Sequence, residues 1–335
     1  MKKSLFKLAA LLLTLTLLLS ACGKPFALFD PVSSDEDYSA AAPDSSGSDD
    51  WMSEYSPGMW RVTSDLYPGT LYLFGSIHIG DDEMFPLPDY VENAYAECGA
   101  LAVECDIVAF EQLPENEIMQ YYYPFMLYDG TTIRDHLPED IYNAAKKLLQ
   151  DAGYYNYTMD YYNAAMWSSL VDQIAAESTG LKYENGIDRH FLNDAHATGK
   201  KILEVESVRF QYDMELKFSD ELYALLMRDC TEDTFLDDYK DSLLDLLSCW
   251  KDGTIYDELS EGSDYSDLTD EERGMMEYYD KVMETDRNIG MANAAENYIK
   301  QGMSVFFVVG AAHMAGDGGV VALLQARGYD VTPVR

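Results

Sequence analysis

Two apolar segments of the sequence end in the same short motif, a glycine followed three positions later by a histidine. The first reads Tyr72-Leu-Phe-Gly-Ser-Ile-His78, and the second reads Val305-Phe-Phe-Val-Val-Gly-Ala-Ala-His313. Apolar runs of this kind are typical of strands that are covered on both faces of a sheet. A single such histidine is usually a core residue with a satisfied hydrogen bond. Because the chain has only five histidines, the second copy favours a functional role.

The segments between the two motifs alternate between strand and helix patterns. A turn-rich connection between two apolar stretches predicts a β-hairpin over residues 61–74. A helix is predicted over Pro88–Glu97, and it precedes the apolar strand that contains Glu104. The middle of the chain has mostly helical spacing, with Pro138 expected in the first turn of one helix. A strand, a helix and a last strand close the chain over residues 304–334, so the sequence predicts an α/β fold.

The first 55 residues differ in composition from the rest of the chain. Three lysines and an uncharged run over residues 8–20 precede Leu19-Ser20-Ala21-Cys22, which resembles a bacterial lipobox. We therefore predict a signal peptide over 1–21, a lipidated Cys22 with a flexible linker over 22–55, and one folded domain over 56–335. The alternative is cleavage at another bond, with Cys22 as a spare thiol. The first interpretation predicts a bacterial lipoprotein that is anchored to the cell membrane and faces its extracytoplasmic side.

The charge of the chain excludes one class of partner. There are 23 basic and 60 acidic residues, and removal of residues 1–21 leaves 20 basic residues and a formal charge of −40. No basic cluster is present to neutralise phosphates, so we expect no nucleic-acid partner. An anionic membrane surface should also repel the domain, so membrane attachment must come from the N-terminal lipid.

Four cysteines follow Cys22 in the sequence, at positions 98, 105, 230 and 249. Their spacing matches no zinc-binding pattern. A local Cys98–Cys105 disulfide and buried free thiols are both compatible with the sequence.

Glu104 adds a carboxylate to the two histidines. It follows the apolar residues Leu101-Ala-Val, and an ionised acid there is costly unless it is paired or bound to a cation. Two imidazoles and one carboxylate are a plausible ligand set for a divalent metal that keeps a position open for water. Without a metal, the same three groups could perform acid–base chemistry.

Five segments of the chain resemble the TraB/GumN family, which is related to the Tiki-type metalloproteases and more distantly to the erythromycin-esterase/ChaN-like proteins. In chain order they are YLFGSIHIG, AVECD, GIDRHFLNDAHATGKKILEVES with Gln211 after it, DRNIGMANAAENYIKQG and VFFVVGAAHMAGDGGVVALLQARGYDVTPV. They span roughly residues 60–334. The resemblance implies an α/β domain with a mixed central sheet, flanking helices and a large helical insertion, in which both Gly-x-x-His segments and the acidic strand meet at one site.

The resemblance also assigns individual residues to that site. Those matching the family are His78, Glu104, Asp188, Glu206, Arg287 and His313. The second histidine motif reads Gly-Ala-Ala-His, where the family more often has Gly-x-Gly-His. Each of three residues has a structural alternative: Arg287 as the ion-pair partner of Glu104, Asp188 as a helix N-cap, and Glu206 as a loop anchor.

The resemblance implies a metal-dependent hydrolase, most readily a peptidase that acts on peptide or protein substrates. His78, Glu104 and His313 would hold a divalent ion (manganese, cobalt or zinc), with Arg287 as a further catalytic residue that steadies charge on a substrate carbonyl. Asp188 and Glu206 would support the site or contact the substrate. Two alternatives belong to other classes: a non-catalytic protein that sequesters peptides such as pheromones, and a lipoprotein that binds haem or iron.

Overall fold

A computed structural model describes residues 55–335 of the chain. The predicted signal peptide, Cys22 and the linker up to residue 54 lie outside the described residues, so the predictions about them stay predictions. Tyr55 already packs on the fold, because its hydroxyl donates a 2.6 Å hydrogen bond to the carbonyl of Met84. In the part that is described, no helix has the length and apolar character needed to cross a membrane.

The centre of the domain is a mixed six-stranded sheet with the order β4-β3-β5-β2-β1-β6. Neighbouring strands from β4 to β2 run parallel, whereas β1 is antiparallel to both β2 and β6. The strands are β1 (Met59–Thr63), β2 (Thr70–Ser76), β3 (Ala100–Val103), β4 (Lys201–Glu204), β5 (Ser304–Gly310) and β6 (Asp330–Val334). The predicted α/β fold with a mixed sheet is therefore confirmed, as is the hairpin formed by β1 and β2.

Helices surround the sheet and form two long blocks, one between β3 and β4 and the other between β4 and β5. The first block and the helix before it are α1 (Asp89–Glu97), α2 (Ile107–Glu111), α3 (Glu115–Tyr122), α4 (Glu139–Asp151), α5 (Ala164–Ser178) and α6 (Ile187–Thr198). The remaining helices are α7 (Val208–Glu215), α8 (Asp220–Met227), α9 (Phe235–Asp252), α10 (Ile255–Ser260), α11 (Asp270–Asp280), α12 (Asp286–Lys300) and α13 (Val320–Ala326). These blocks account for the helical insertion expected from the resemblance.

Side chains of the central strands alternate between two apolar cores, one on each face of the sheet. On β5, Phe306 belongs to the core that contains Trp250 of α9, whereas Phe307 belongs to the core that contains Met291 of α12. All four side chains are fully buried. Because both faces are covered, the central strands consist of continuous apolar runs, as their sequences predicted.

Two local expectations can be compared with the structure. Pro138 is the N-cap of α4 and lies outside its first turn, because its ψ of 142° is extended while its carbonyl already accepts the bond from Tyr142 N–H. The four cysteines that the structure describes are free, and Cys98 and Cys105 are both buried. The structure thus agrees with free thiols and not with a Cys98–Cys105 disulfide.

Candidate active site

The carboxyl ends of three neighbouring strands position the candidate site. In the parallel register, Ser76 of β2 lies opposite Gly310 of β5, and Val103 of β3 lies opposite Val308. The residues that follow these strand ends include His78, Glu104 and His313. Because carboxyl ends of adjacent parallel strands meet at one edge of the sheet, the structure brings these three predicted residues together.

Gly310 lies at the point where the three groups converge. A Cβ atom at this position would lie 3.3 Å from Glu104 Oε1, 3.6 Å from His78 Nε2 and 3.7 Å from His313 Cδ2. The distance between His313 Nε2 and Glu104 Oε1 is 3.9 Å. A glycine therefore keeps open the space that a ligand would share with all three side chains.

The carboxylate of Glu104 is buried and fixed by three donors. Oε2 accepts from Arg287 Nη2 at 2.6 Å and from Gln211 Nε2 at 3.0 Å, while Oε1 accepts from the Gly310 N–H at 2.8 Å. Burial by itself raises the pKa of this carboxyl, but Arg287 and the two histidines outweigh burial and lower the pKa to about 2. Glu104 is thus held ionised in one orientation.

Arg287 joins two carboxylates in the interior. Besides its contact with Glu104, its Nε and Nη2 donate to the two oxygens of Glu206 at 2.8 and 2.9 Å, and its side chain is 1% exposed. Burial lowers the pKa of the guanidinium, yet the two carboxylates raise it above the usual value. The structure thus agrees with the ion-pair alternative for Arg287. The Glu206 carboxylate likewise binds this arginine, and so it does not act as the loop anchor that the sequence also allowed.

The backbone before Arg287 has an unusual turn. A π-helical segment over Lys281–Thr285 separates α11 from α12, and Arg287 Nη1 donates to the carbonyl of Met283 within it at 3.3 Å. π-helical turns are rare and occur often at functional sites. Here the turn places the guanidinium between the carboxylates of Glu104 and Glu206, which follow β3 and β4 in the sequence.

The tautomer of His313 follows from its neighbour Asn288. The Asn288 amide nitrogen donates to the carbonyl of Gly318, so its oxygen accepts from His313 Nδ1 at 2.6 Å. The lone pair of Nε2 is then left on the side of Glu104. Burial, followed by the charge of Arg287, lowers the pKa of His313 to about 3, and the ring is therefore neutral.

His78 is oriented in the same way by Asp188 of α6. Its Nδ1 donates to Asp188 Oδ1 at 2.8 Å, which leaves Nε2 facing the site. Burial lowers the pKa of His78, but the charge and hydrogen bond of Asp188 outweigh it and the net shift is upward. The N-cap alternative for Asp188 is wrong, because Gly186 is the N-cap of α6 and the Asp188 carboxylate binds the histidine.

A cavity opens beside these groups, with about 330 Å³ of empty space. His78, Glu104, Asp188 and Gln211 contribute its polar wall. We call it the polar cavity. A small group that entered it would reach the imidazole of His78 and the carboxylate of Glu104.

Two residues of the site were not assigned a role from the sequence. Asn288 orients His313, and Gln211 donates to both Glu104 and Glu206. Each is a buried amide close in sequence to an assigned residue, since Asn288 directly follows Arg287. Closeness in sequence to an assigned residue was the signal by which these two amides could have been found. Outside the site, Asp81 pairs with Lys251 of α9.

The kinds of donor atom fit a divalent ion, because two imidazole nitrogens and an ionised carboxylate face one space. Three buried carboxylates, of Glu104, Asp188 and Glu206, stand against the single guanidinium of Arg287, a formal excess of two negative charges. The spacing differs from that of a formed metal site. Within residues 55–335, no three His, Cys, Asp or Glu side chains lie close enough together to hold an ion.

Comparisons with known proteins agree with the resemblance noted in the sequence. The uncharacterized protein YbaP of Escherichia coli strain K12 is 24% identical over 274 residues, which cover 79% of this chain and 92% of YbaP. YbaP of Shigella flexneri matches with the same identity and coverage. No solved structure matches the chain significantly. The sequence model of the TraB/PrgY/gumN family matches residues 58–333, which include every residue of the site. The chain therefore belongs to the TraB/PrgY/gumN family.

Proposed function

We propose that the protein is a metal-dependent hydrolase that acts on peptides and is tethered to the extracytoplasmic face of the cell membrane by a lipid on Cys22. One observation carries the catalytic part of this proposal. The Nε2 atoms of His78 and His313 and a carboxylate oxygen of Glu104 face one space beside Gly310. Resemblance to the Tiki-type metalloproteases supports the choice of a peptide substrate.

His78, Glu104 and His313 are the residues that would hold the ion. When bound, a divalent ion would supply polarisation of the scissile carbonyl and a more acidic water. Nitrogen and oxygen donors without a thiolate suit manganese, cobalt or zinc. The two excess negative charges of the buried side chains would be balanced by a divalent cation.

The surrounding residues would fix the geometry of the site. Asp188 and Asn288 each accept from the Nδ1–H of one histidine and so direct both Nε2 atoms inward. Such partners are typical of histidines that bind metals. Arg287 and Gln211 hold the Glu104 carboxylate ionised and still. Arg287 is thereby a positioning residue for Glu104, and Glu206 positions Arg287.

A second route to hydrolysis is favoured by the opposite shifts of the two histidines. The pKa of His78 is raised by Asp188, whereas burial lowers that of His313 to about 3. Titratable groups whose environments separate their pKa values often act as acid and base. In this route His78 takes up and returns a proton at Nε2 without a metal.

The metal-dependent proposal predicts about one equivalent of bound metal in the full chain and none in the His313→Ala variant. Removal of one of three ligands leaves too few donors for tight binding. Elemental analysis after equilibration with manganese, cobalt or zinc measures this, and cleavage of a peptide library by mass spectrometry measures turnover. His196→Ala is the matched control, because His196 pairs with Asp106 on the surface and should not alter metal content.

The results of this experiment separate the candidate functions. Metal-stimulated cleavage that His313→Ala abolishes supports the proposal. Cleavage that survives complete removal of metal supports the acid–base route. Stoichiometric peptide binding without cleavage in any metal supports the sequestering function. A Soret band on addition of haem supports the haem-binding function.

The proposed membrane tether is tested at Cys22. In a bacterial host that is fed radiolabelled palmitate, we expect the wild-type protein to carry the label and sediment with membranes. The Cys22→Ala variant should lose the label and appear in the soluble fraction, because the acyl chains are the source of its membrane affinity. Cys249→Ala is the control. Equal labelling of wild type and Cys22→Ala would contradict the tether.

A further inference from the structure

A second cavity shares Ser76 and His78 with the polar cavity. It contains about 350 Å³ of empty space, part of which is open to solvent, and its wall includes Leu243 and Leu246 of α9, Ile255 of α10 and Ala311. These four side chains are all at least 95% buried. We call this space the apolar cavity.

The wall of the apolar cavity is mostly aliphatic. Atoms that line a larger void lose dispersion contacts that an apolar occupant would restore. Among the side chains that line it, only Ser76 and His78 carry polar atoms. A charged or amide side chain placed there would therefore lose most of its hydrogen bonds.

The apolar cavity adjoins the candidate active site. Ser76 and His78 line both cavities, and the wall of the apolar cavity includes Gly310. Gly310 is also the residue around which His78, Glu104 and His313 converge. A carbonyl held beside Gly310 would therefore lie next to the candidate site and also next to the aliphatic pocket.

We infer that the apolar cavity is a specificity subsite, which accepts an aliphatic side chain next to the peptide bond that is cleaved. This inference rests on the proposed peptidase function and adds a substrate class to it. A peptide carbonyl at Gly310 lies two bonds from the Cβ of its own residue, so that side chain reaches the pocket between α9 and α10. Leucine-like residues fit the pocket, whereas charged residues are disfavoured because Ser76 and His78 are the only polar side chains in its wall and His78 Nδ1 is already engaged by Asp188.

Leu246 is the position at which the subsite can be tested. The Leu246→Ala variant enlarges the pocket by the volume of a branched side chain, so the preference should move from leucine to phenylalanine. Leu247→Ala is the matched control, because Leu247 is equally buried on α9 but does not line the cavity. Both variants remove the same atoms from the core. A general loss of stability therefore affects both, and the thermal midpoint of each is recorded.

Binding is measured separately from cleavage, with the full chain and three probes: N-acetyl-leucinamide, N-acetyl-phenylalaninamide and N-acetyl-aspartamide. We expect the wild type to prefer the leucine probe to the aspartate probe by at least about 10-fold in Kd, measured by NMR titration. In Leu246→Ala the ratio of Kd values for the leucine and phenylalanine probes should shift by about 10-fold towards phenylalanine, while Leu247→Ala keeps the wild-type ratio.

Each outcome bears on the subsite alone, because no probe has to be cleaved. Equal binding of the leucine and aspartate probes by the wild type overturns the inference. It is also overturned if Leu246→Ala and Leu247→Ala shift the ratio equally. Tighter binding of octanoate than of any amino-acid amide overturns it in favour of an acyl chain. If the probes behave as expected and no peptide is ever cleaved, the peptidase function fails and the aliphatic pocket stands.

Discussion

Replacement of Arg287 by alanine is expected to lower the free energy of unfolding by about 3–5 kcal/mol at neutral pH, the range for a broken buried ion pair. The guanidinium is the cation between the carboxylates of Glu104 and Glu206, and all three side chains are less than 10% exposed. Without it, two negative charges stay in the interior with no cation to pair with, and among the described residues only Gln211 and the Gly310 N–H still donate to them. Urea unfolding followed by circular dichroism measures the change.

The effect of Arg287→Ala should depend on pH in a defined direction. The pKa of Glu104 is about 2 in the folded protein, against 4.5 for an unperturbed carboxyl. Its stabilising contribution is therefore complete above pH 4.5 and is lost as the pH falls towards 2. Arg287→Ala removes this contribution, so the difference between wild type and variant should shrink as the pH is lowered through that range.

Two further variants test the cause of this loss. Arg287→Lys keeps a positive charge but loses the planar fork, so it should lose less stability than Arg287→Ala. Addition of Glu104→Gln and Glu206→Gln to the alanine variant removes the unpaired charges and should recover part of the loss. A decrease of less than about 1 kcal/mol in Arg287→Ala at pH 7 would contradict the proposed role of the ion pairs.

Replacement of His78 by glutamine is expected to lower kcat/KM for a cleaved peptide by about 10²–10⁴-fold, the usual contribution of a group that moves a proton. The same loss is expected if His78 is a metal ligand, since glutamine has no imidazole nitrogen to face the site. Steady-state kinetics on a peptide identified in the library measures the loss, and circular dichroism checks that the variant is folded.

His136 provides the matched control for this prediction. It also forms a His–Asp pair, with Nδ1 2.7 Å from Asp220, but its Nε2 is engaged by the hydroxyl of Thr131 at 2.7 Å. His136→Gln therefore breaks a similar pair without removing a nitrogen that faces the site, and kcat/KM should stay near the wild-type value. If both glutamine variants lose activity equally, the effect is structural and His78 has no special role.

The positions of the three central site residues could be predicted because each follows a recognisable strand. Apolar runs identified β2, β3 and β5, and the shared Gly-x-x-His motif marked the ends of β2 and β5. Strand order is not encoded in any local pattern. The resemblance to a family supplied the expectation that the three ends meet, and the register of Ser76 with Gly310 shows how they do.

Other features of the site depend on contacts between residues that are distant in sequence. Glu104 alone suggested a buried ion pair, but the bridge from Arg287 to both Glu104 and Glu206 also requires a π-turn that no sequence signal marks. The apolar cavity forms where side chains of α9 and α10 meet the ends of β2 and β5. Leu246 and Leu247 have the same chemistry in the sequence, and only packing makes one of them a wall of that cavity.

The position of β5 between β3 and β2 has a consequence for the order of events in biosynthesis. This strand lies near residue 304 of a 335-residue sequence, yet it occupies a position between two parallel neighbours and is followed by His313. A nascent chain that lacks it leaves the edges of β3 and β2 unpaired and the candidate site without His313. The proposed activity must consequently wait until this segment has been synthesised and has entered the sheet.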